Sequence, residues 1–244
     1  MRAISLAFAV VLLCGTSTAF SLGVFEPKPR PKLTGTVLVH PSFAEDFTLT
    51  DQNNQRFHMA DTMGKVVLLS FIYTHCTDIC PYEAVKVKLA HDILGPDVKD
   101  VVFVAVTTDP RRDTPAVMKA YSQTLGLSDG WHFVGGPAAA VQKVWAGYGI
   151  GVEVDKATQA VAVTEEKGAS TGSSDVGERD LLKGLSETDL DLVGKLEQGF
   201  GGGYDVGHSA PFWFVDKSGN VREVMNGNAT PSEIARDIRT LLAE

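Results

Sequence analysis

Residues 65–81 read KVVLLSFIYTHCTDICP. The first half, Lys65 to Tyr73, is a near-continuous apolar run with few polar interruptions, the pattern of a strand buried on both faces. The second half carries Cys76 and Cys80 and ends on Pro81. From Pro81 to Leu94, apolar residues recur at Ala84, Val85, Leu89 and Ile93, which predicts a helix. Working downstream, Val101 to Val106 is a second buried strand, followed by a turn at Asp109-Pro110. Thr114-Pro115 has the form of a helix cap followed by the first helical residue, and that helix runs to about Leu125. Trp131 to Val134 reads as a short strand and Ala138 to Tyr148 as a third helix. Pro211 to Asp216 (PFWFVD) and Asn220 to Val224 flank the turn Lys217-Ser218-Gly219, which makes a hairpin. Pro231 to Leu242 closes the chain as an amphipathic helix. Upstream, Phe47-Thr48-Leu49 alternates, turns at Asp51 to Asn54 and resumes at Arg56-Phe57, a further hairpin. This order predicts a single layered α/β domain with a thioredoxin-like fold, an N-terminal hairpin, and an inserted segment before the C-terminal hairpin and helix.

The flanks divide the chain of 244 residues into three parts. Arg2 is the only charged side chain before Glu26; an apolar run from Ala3 to Cys14 and a small-residue patch follow it. That is the order of a secretory signal, with Ser17-Thr18-Ala19 as a cleavage site, so residues 1–22 are read as a signal peptide or a membrane anchor. Cys14, ahead of Gly15, also allows lipidation, although Leu13 precedes it. Residues 23–42 hold Pro27, Pro29, Pro31 and Pro41 and read as an extended linker. Leu33 to His40 can add an edge strand whose partner is not fixed. The folded domain is expected over 43–244. Each version of the N-terminus exports the chain, to the periplasm or the outer face of the inner membrane.

About residues 155–203 break the alternating rhythm. The segment holds a Gly/Ser patch, Gly168 to Ser174, and the run Gly201-Gly202-Gly203. Glu165 to Glu197 contains nine acidic and four basic residues, most of the chain's net charge of −8. Ser186 with Asp189 resembles a helix start, with Leu190, Val193 and Leu196 as an apolar stripe. The segment is either a surface insertion without chemical consequence or a lid or docking surface for a cationic partner. The composition is that of a globular protein, 44% hydrophobic and 21% charged. The acidic balance argues against nucleic acid as a partner, since phosphate binding needs a cationic face.

The chemistry centres on the cysteine turn. Cys76 and Cys80 stand four positions apart, so one helical turn brings them to a common face. They follow a buried strand and open a helix, where α/β sheets place their sites and where the helix terminus lowers thiol pKa values. Such a pair can form a disulfide or bind a soft metal; thiolates suit Cu(I), and an added imidazole also suits Cu(II). Zinc more often takes four ligands. Of six histidines, His75 adjoins Cys76 and should point elsewhere, His40 lies beside the linker, and His58, His91 and His132 lie in or beside regular elements. His208 sits in a glycine-rich loop that a thioredoxin-like fold carries next to the cysteine turn, so a trigonal Cys76–Cys80–His208 site is geometrically reasonable. A structural disulfide and a solvated loop histidine are the plain alternatives. Asp78 is either a supporting partner of the site or an exposed carboxylate.

With these residues in place, KVVLLSFIYTHCTDICP, VVFVAVTTDPRRDTP and GHSAPFWFVDKSGNV resemble the Sco/SenC family of copper-binding, thioredoxin-like proteins, over about residues 43–154 and 204–243. The resemblance implies a copper ion, Cu(I) or Cu(II), bound by Cys76, Cys80 and His208. It also implies copper delivery or thiol reduction during assembly of the binuclear copper site of cytochrome c oxidase, with the copper-site subunit or another copper carrier as partner. Three features depart from the family pattern. Thr77 stands where proline usually follows the first cysteine. Gly207 stands where aspartate usually precedes the histidine, with Asp205 three positions before His208. The insertion is longer than the family loop. Pro211 falls near the cis proline of thioredoxin-like oxidoreductases, and either isomer is open. The leading expectation is an exported metallochaperone, membrane-associated through its N-terminus, that releases copper when Cys76 and Cys80 oxidise to a disulfide. The alternative is a periplasmic thiol–disulfide oxidoreductase with Cys76 attacking and Cys80 resolving. A third class is an interaction module that works through the acidic insertion.

Overall fold

A computed structural model describes residues 32–154, 181–200 and 204–244. The expected signal or anchor over 1–22, Cys14, the start of the linker, the patch Gly168 to Ser174 and the Gly201–Gly203 run lie outside the described residues. No helix among those described is long and apolar enough to cross a membrane.

The stretch that opened the analysis forms β4 (Val66–Ile72), and every residue of it is buried. It pairs in parallel with β5 (Val101–Thr107), which pairs in parallel with β6 (Trp131–Gly135). The helices α1 (Ile79–Leu94) and α2 (Pro115–Leu125) make the two crossovers. Thr114 caps α2 by accepting a hydrogen bond from the Val117 N–H, and Pro115 follows it, as the sequence predicts. α1 begins at Ile79, two residues before the expected start, which places Cys80 in its first turn.

The edges are antiparallel. β2 (Thr48–Asp51) and β3 (Arg56–His58) form the N-terminal hairpin beside β6. β9 (Phe212–Val215) and β10 (Val221–Met225) form the C-terminal hairpin beside β4. β1 (Thr36–Val37) pairs with β10, so the edge strand open in the sequence has a partner, and the chain joins the fold ahead of Phe43. The Thr34 N–H and hydroxyl bond to Asp237, and the Gly35 N–H bonds to Glu223. The proline count of the linker gave no sign of these buried acceptors. The sheet has eight strands in the order β1-β10-β9-β4-β5-β6-β2-β3.

Strand alternation divides the core. Leu68 and Phe103 face α1, α2 and the closing helix α5 (Pro231–Leu242), which inserts Ile234, Ile238 and Leu241. Val67, Leu69 and Phe71 face α3 (Ala138–Gly147), which inserts Val141 and Val144. α5 starts with a capping box in which Thr230 and Glu233 satisfy each other's backbone N–H groups; such caps contribute about 1 kcal/mol.

The insertion is closed at its base by a two-stranded ribbon outside the main sheet. β7 (Val152–Val154) pairs with β8 (Val206–His208), residue for residue. Within the insertion α4 (Glu187–Phe200) starts at Ser186, whose hydroxyl and N–H bond to Asp189, and packs on α1 and α2 through Val193 and Leu196. Leu190, the third member of the expected stripe, is exposed. The Ala210–Pro211 bond is trans, since the described residues contain no cis peptide.

Candidate metal centre

β4 ends at Ile72, and the chain turns through Tyr73 to Asp78 before α1 starts. Asp113, in the loop after β5, fixes this turn: its carboxylate accepts from the Thr74 N–H, the Thr74 hydroxyl and the Thr107 hydroxyl. Both cysteines point inward, Cys76 with 3% and Cys80 with none of its surface exposed, and both are free thiols.

The sulfurs interact. Burial works to raise the Cys76 pKa, but the Cys80 thiol and the N–H groups of Asp78 and Cys80 donate to its sulfur, and the net shift is downward. Cys80 is pushed well up, by burial first, then by its bond to Cys76 and by the charge there. The pair therefore deprotonates at Cys76 first.

β8 delivers the imidazole. His208 Nε2 lies 3.2 Å from Cys80 Sγ. The other ring nitrogen, Nδ1, lies 3.1 Å from the Ser209 carbonyl oxygen, which can only accept, so Nδ1 carries the proton and Nε2 presents a lone pair. Burial depresses the His208 pKa to about 4, partly offset by that carbonyl, so the ring is neutral at pH 7. The backbone carbonyl thus replaces the support that the sequence left open at Gly207. Tyr73 contributes twice: its ring packs edge-on against His208 at 5.8 Å, and its hydroxyl accepts from the Val206 N–H.

The other histidines are engaged elsewhere or exposed. His75 turns away from the sulfurs, with Nδ1 2.8 Å from the Thr74 hydroxyl. His58 pairs with Asp46, His91 with the Asp129 carbonyl and His132 with Asp51, while His40 is exposed. The structure therefore brings His208, and no other described histidine, to Cys80. Asp78 has a half-exposed carboxylate that caps nothing; its contribution is its N–H to Cys76. Burial and the Asp205 charge raise the Asp78 pKa, and burial and Asp78 raise that of Glu197 on α4. The insertion helix therefore reaches an acidic rim around the cysteine turn.

Two buried groups behind the sulfurs were not singled out from sequence. Glu83, one turn along α1 from Cys80, is buried, and neither carboxyl oxygen finds a hydrogen bond among the described residues. Burial, then the charge on Cys76, raise its pKa well above normal, against the opposing pull of Lys86. A side chain at Gly227 would come within 2.6 Å of Glu83 Oε1 and 2.9 Å of Ile79 Cδ1, so this close approach needs glycine. The Tyr121 hydroxyl is likewise buried and finds no hydrogen bond among the described residues. An acid among the apolar positions Ala84, Val85 and Val87 was the available sequence signal for Glu83.

Among the described residues, no three His, Cys, Asp or Glu side chains are spaced to hold a metal ion as they stand. The sulfur–nitrogen contact is closed on itself. With metal–sulfur and metal–nitrogen bonds of about 2.3 and 2.0 Å, a trigonal metal would hold these atoms about 3.7 Å apart, against the observed 3.2 Å. Opening the contact by about 0.5 Å would suffice for that pair, with the lone pair already aimed. Two thiols that deprotonate in sequence and a neutral imidazole make a soft donor set.

The family model described as SCO1/SenC matches residues 37–170. The chain belongs to the SCO1/SenC family. A SCO2-like protein of Rickettsia felis is 33% identical over 121 residues, which cover 48% of this chain and 58% of that protein. The match therefore spans little more than half the length of this curated relative. Among solved structures, Bradyrhizobium japonicum ScoI with copper bound shares 24% identity with a TM-score of 0.57, covering 82% of this chain and 99% of that one. Apo Sco1 of Thermus thermophilus shares 22% with a TM-score of 0.58, covering 85% and 95%. At these identities the likeness is one of fold, and it agrees with the thioredoxin-like architecture of the SCO1/SenC chain described above.

Proposed function

We propose that this SCO1/SenC-family chain is an exported copper carrier that holds one copper ion on Cys76, Cys80 and His208. We propose further that it serves assembly of the copper site of cytochrome c oxidase, with the copper-site subunit or another copper carrier as its partner. The observation that carries the reading is the approach of His208 Nε2, with its proton held at Nδ1, to a sulfur of the buried dithiol. Family membership supports it, as do solved relatives of the same fold that are described with copper bound, those of Bradyrhizobium japonicum and yeast among them.

Thiolates suit Cu(I), and the imidazole extends the site to Cu(II). Oxidation of Cys76 and Cys80 by a peroxide would form one S–S bond, the two electrons going to the peroxide as its O–O bond breaks and its oxygens take up protons, which removes two ligands and releases the metal. A relative from the same family is described with a disulfide switch. The thiol–disulfide oxidoreductase reading is not favoured: an attacking thiol must be reached by the target disulfide, and Cys76 is 3% exposed.

The test is copper stoichiometry on reduced protein. Near-unit binding is expected, abolished by Cys76→Ser with Cys80→Ser and by prior oxidation. Undiminished binding in the double variant would overturn the ligand assignment. Export to the periplasm or the outer face of the inner membrane is part of the proposal. It is supported by Arg2, the apolar run to Cys14 and the Ser17-Thr18-Ala19 patch. A reporter active only after export, fused behind residue 31, should be active; an inactive fusion would refute export by this segment.

A further inference from the structure

The loop Asp109–Asp113, within the TTDPRRD stretch, supplies no ligand in the reading above, yet it holds both halves of the site. At one end Asp113 ties down Thr74, two positions before Cys76. At the other end Asp109 and Arg112 grip Tyr204, four positions before His208. The Tyr204 hydroxyl donates to Asp109 Oδ1 at 2.8 Å, and Arg112 Nε pairs with the other oxygen of that carboxylate. The Arg112 guanidinium carbon lies 3.8 Å from the centre of the Tyr204 ring and 5.6 Å from that of Tyr73. Tyr204 is thus held at its tip and on its face by an ion pair whose carboxylate is buried and whose guanidinium is partly buried.

The grip adds a polar clasp to a strand whose one apolar anchor in the core is Val206. β8 lies outside the main sheet and, among the described residues, pairs with β7 alone, over the register Val152↔His208, Glu153↔Gly207 and Val154↔Val206. An isolated two-stranded ribbon is marginal at best in water. Its further ties are the Val206 N–H to the Tyr73 hydroxyl and the Ser209 N–H to the Gly151 carbonyl.

We propose that Tyr204 is a positioning residue for His208: clasped by Asp109 and Arg112, it sets the distance between the imidazole and the dithiol, and its release converts a three-ligand site into a two-thiolate site. This rests on the copper reading above. Loss of the clasp weakens the oxidation state that depends on the imidazole, Cu(II), and spares Cu(I), which two thiolates can hold.

The test uses Tyr204→Phe, which keeps the ring and removes the hydroxyl, and Tyr204→Ala, which removes both. Two readouts are taken. The first is affinity of the reduced protein for Cu(I) and of the protein for Cu(II). A loss of about tenfold for Cu(II) in the Phe variant and about a hundredfold in the Ala variant is expected, the range for residues that support a metal-bound histidine. Cu(I) affinity should stay within a factor of about two of wild type, because its sulfur ligands are untouched. The second readout is amide hydrogen exchange on the metal-free protein. Val206 to His208 should lose protection in the same graded order, while β4 and β5 keep theirs, which also verifies folding. Equal losses for Cu(I) and Cu(II), or unchanged exchange at Val206 to His208, would overturn the clasp. A wild-type protein that binds no copper would refute the copper reading instead, and the exchange result alone would then decide whether Tyr204 positions His208.

Discussion

Replacing Asp113 with asparagine should change the stability of the protein by an amount that depends on pH in a calculable way. The Asp113 side chain is fully buried, and burial outweighs its hydrogen bonds from Thr107 and Thr74, raising its pKa from 3.8 to about 6. In the unfolded chain the group titrates near its ordinary value. Between these two values the folded protein holds a proton that the unfolded chain has released. The contribution is therefore complete below about pH 4 and is lost as pH rises through about 6. Two pKa units correspond to about 3 kcal/mol, of which about 2 kcal/mol falls between pH 4.5 and 7.5. Asparagine has no such proton to lose. Relative to wild type, Asp113→Asn should gain about 2 kcal/mol between those pH values, whatever the fixed cost, about 1 kcal/mol, of exchanging a carboxyl for an amide. Urea unfolding of the reduced, metal-free proteins at both pH values measures this, since the remaining titrations cancel in the difference. A difference that does not move with pH would mean that Asp113 titrates normally, and the account of how the cysteine turn is braced would fail.

Other expected outcomes test the remaining parts. Glu223, buried and bonded to the Gly35 N–H, is raised to about 7 by burial and by the neighbouring Asp237. Its stabilising contribution should therefore fade as pH rises from about 4.5 through 7. Glu223→Gln should raise the melting temperature relative to wild type at pH 8 more than at pH 5; the reverse order would show that the carboxylate is stabilised, not destabilised, by this site. Leu196→Ala removes a fully buried side chain of α4 and should cost about 2–5 kcal/mol. A midpoint unchanged in urea would mean that α4 is not part of the cooperative fold. Thr230→Ala breaks the capping box of α5 and should cost about 1 kcal/mol, read by the same method; no loss would show that the cap is replaced by solvent.

The strands and helices were legible where a local rule and the tertiary environment agree. The apolar runs of β4 and β5 mean burial on both faces, and Thr114-Pro115 is a cap whose partner lies three residues away. The approach of His208 to Cys80 was legible as a class of geometry, because a thioredoxin-like fold returns that loop to the cysteine turn. What the sequence hid depends on distant pairing. The edge strand expected within Leu33 to His40 forms at Thr36–Val37, but its partner, β10, and the two buried acids that hold its start lie 188 to 203 positions away and were not readable locally. The histidine's supporting acceptor is a main-chain carbonyl, Ser209, which any residue supplies. Tyr204 stands 95 positions from Asp109 in sequence, and the return of the chain through the ribbon of β7 and β8 brings it to the Asp109–Arg112 pair.

The central claim is that two sulfurs and one imidazole share a metal ion. X-ray absorption at the copper edge of the reduced, copper-loaded protein tests it most directly. The account predicts scattering from two sulfurs and one nitrogen, with the nitrogen contribution lost in His208→Ala. A copper shell without sulfur, or a nitrogen contribution unchanged by that substitution, would contradict it.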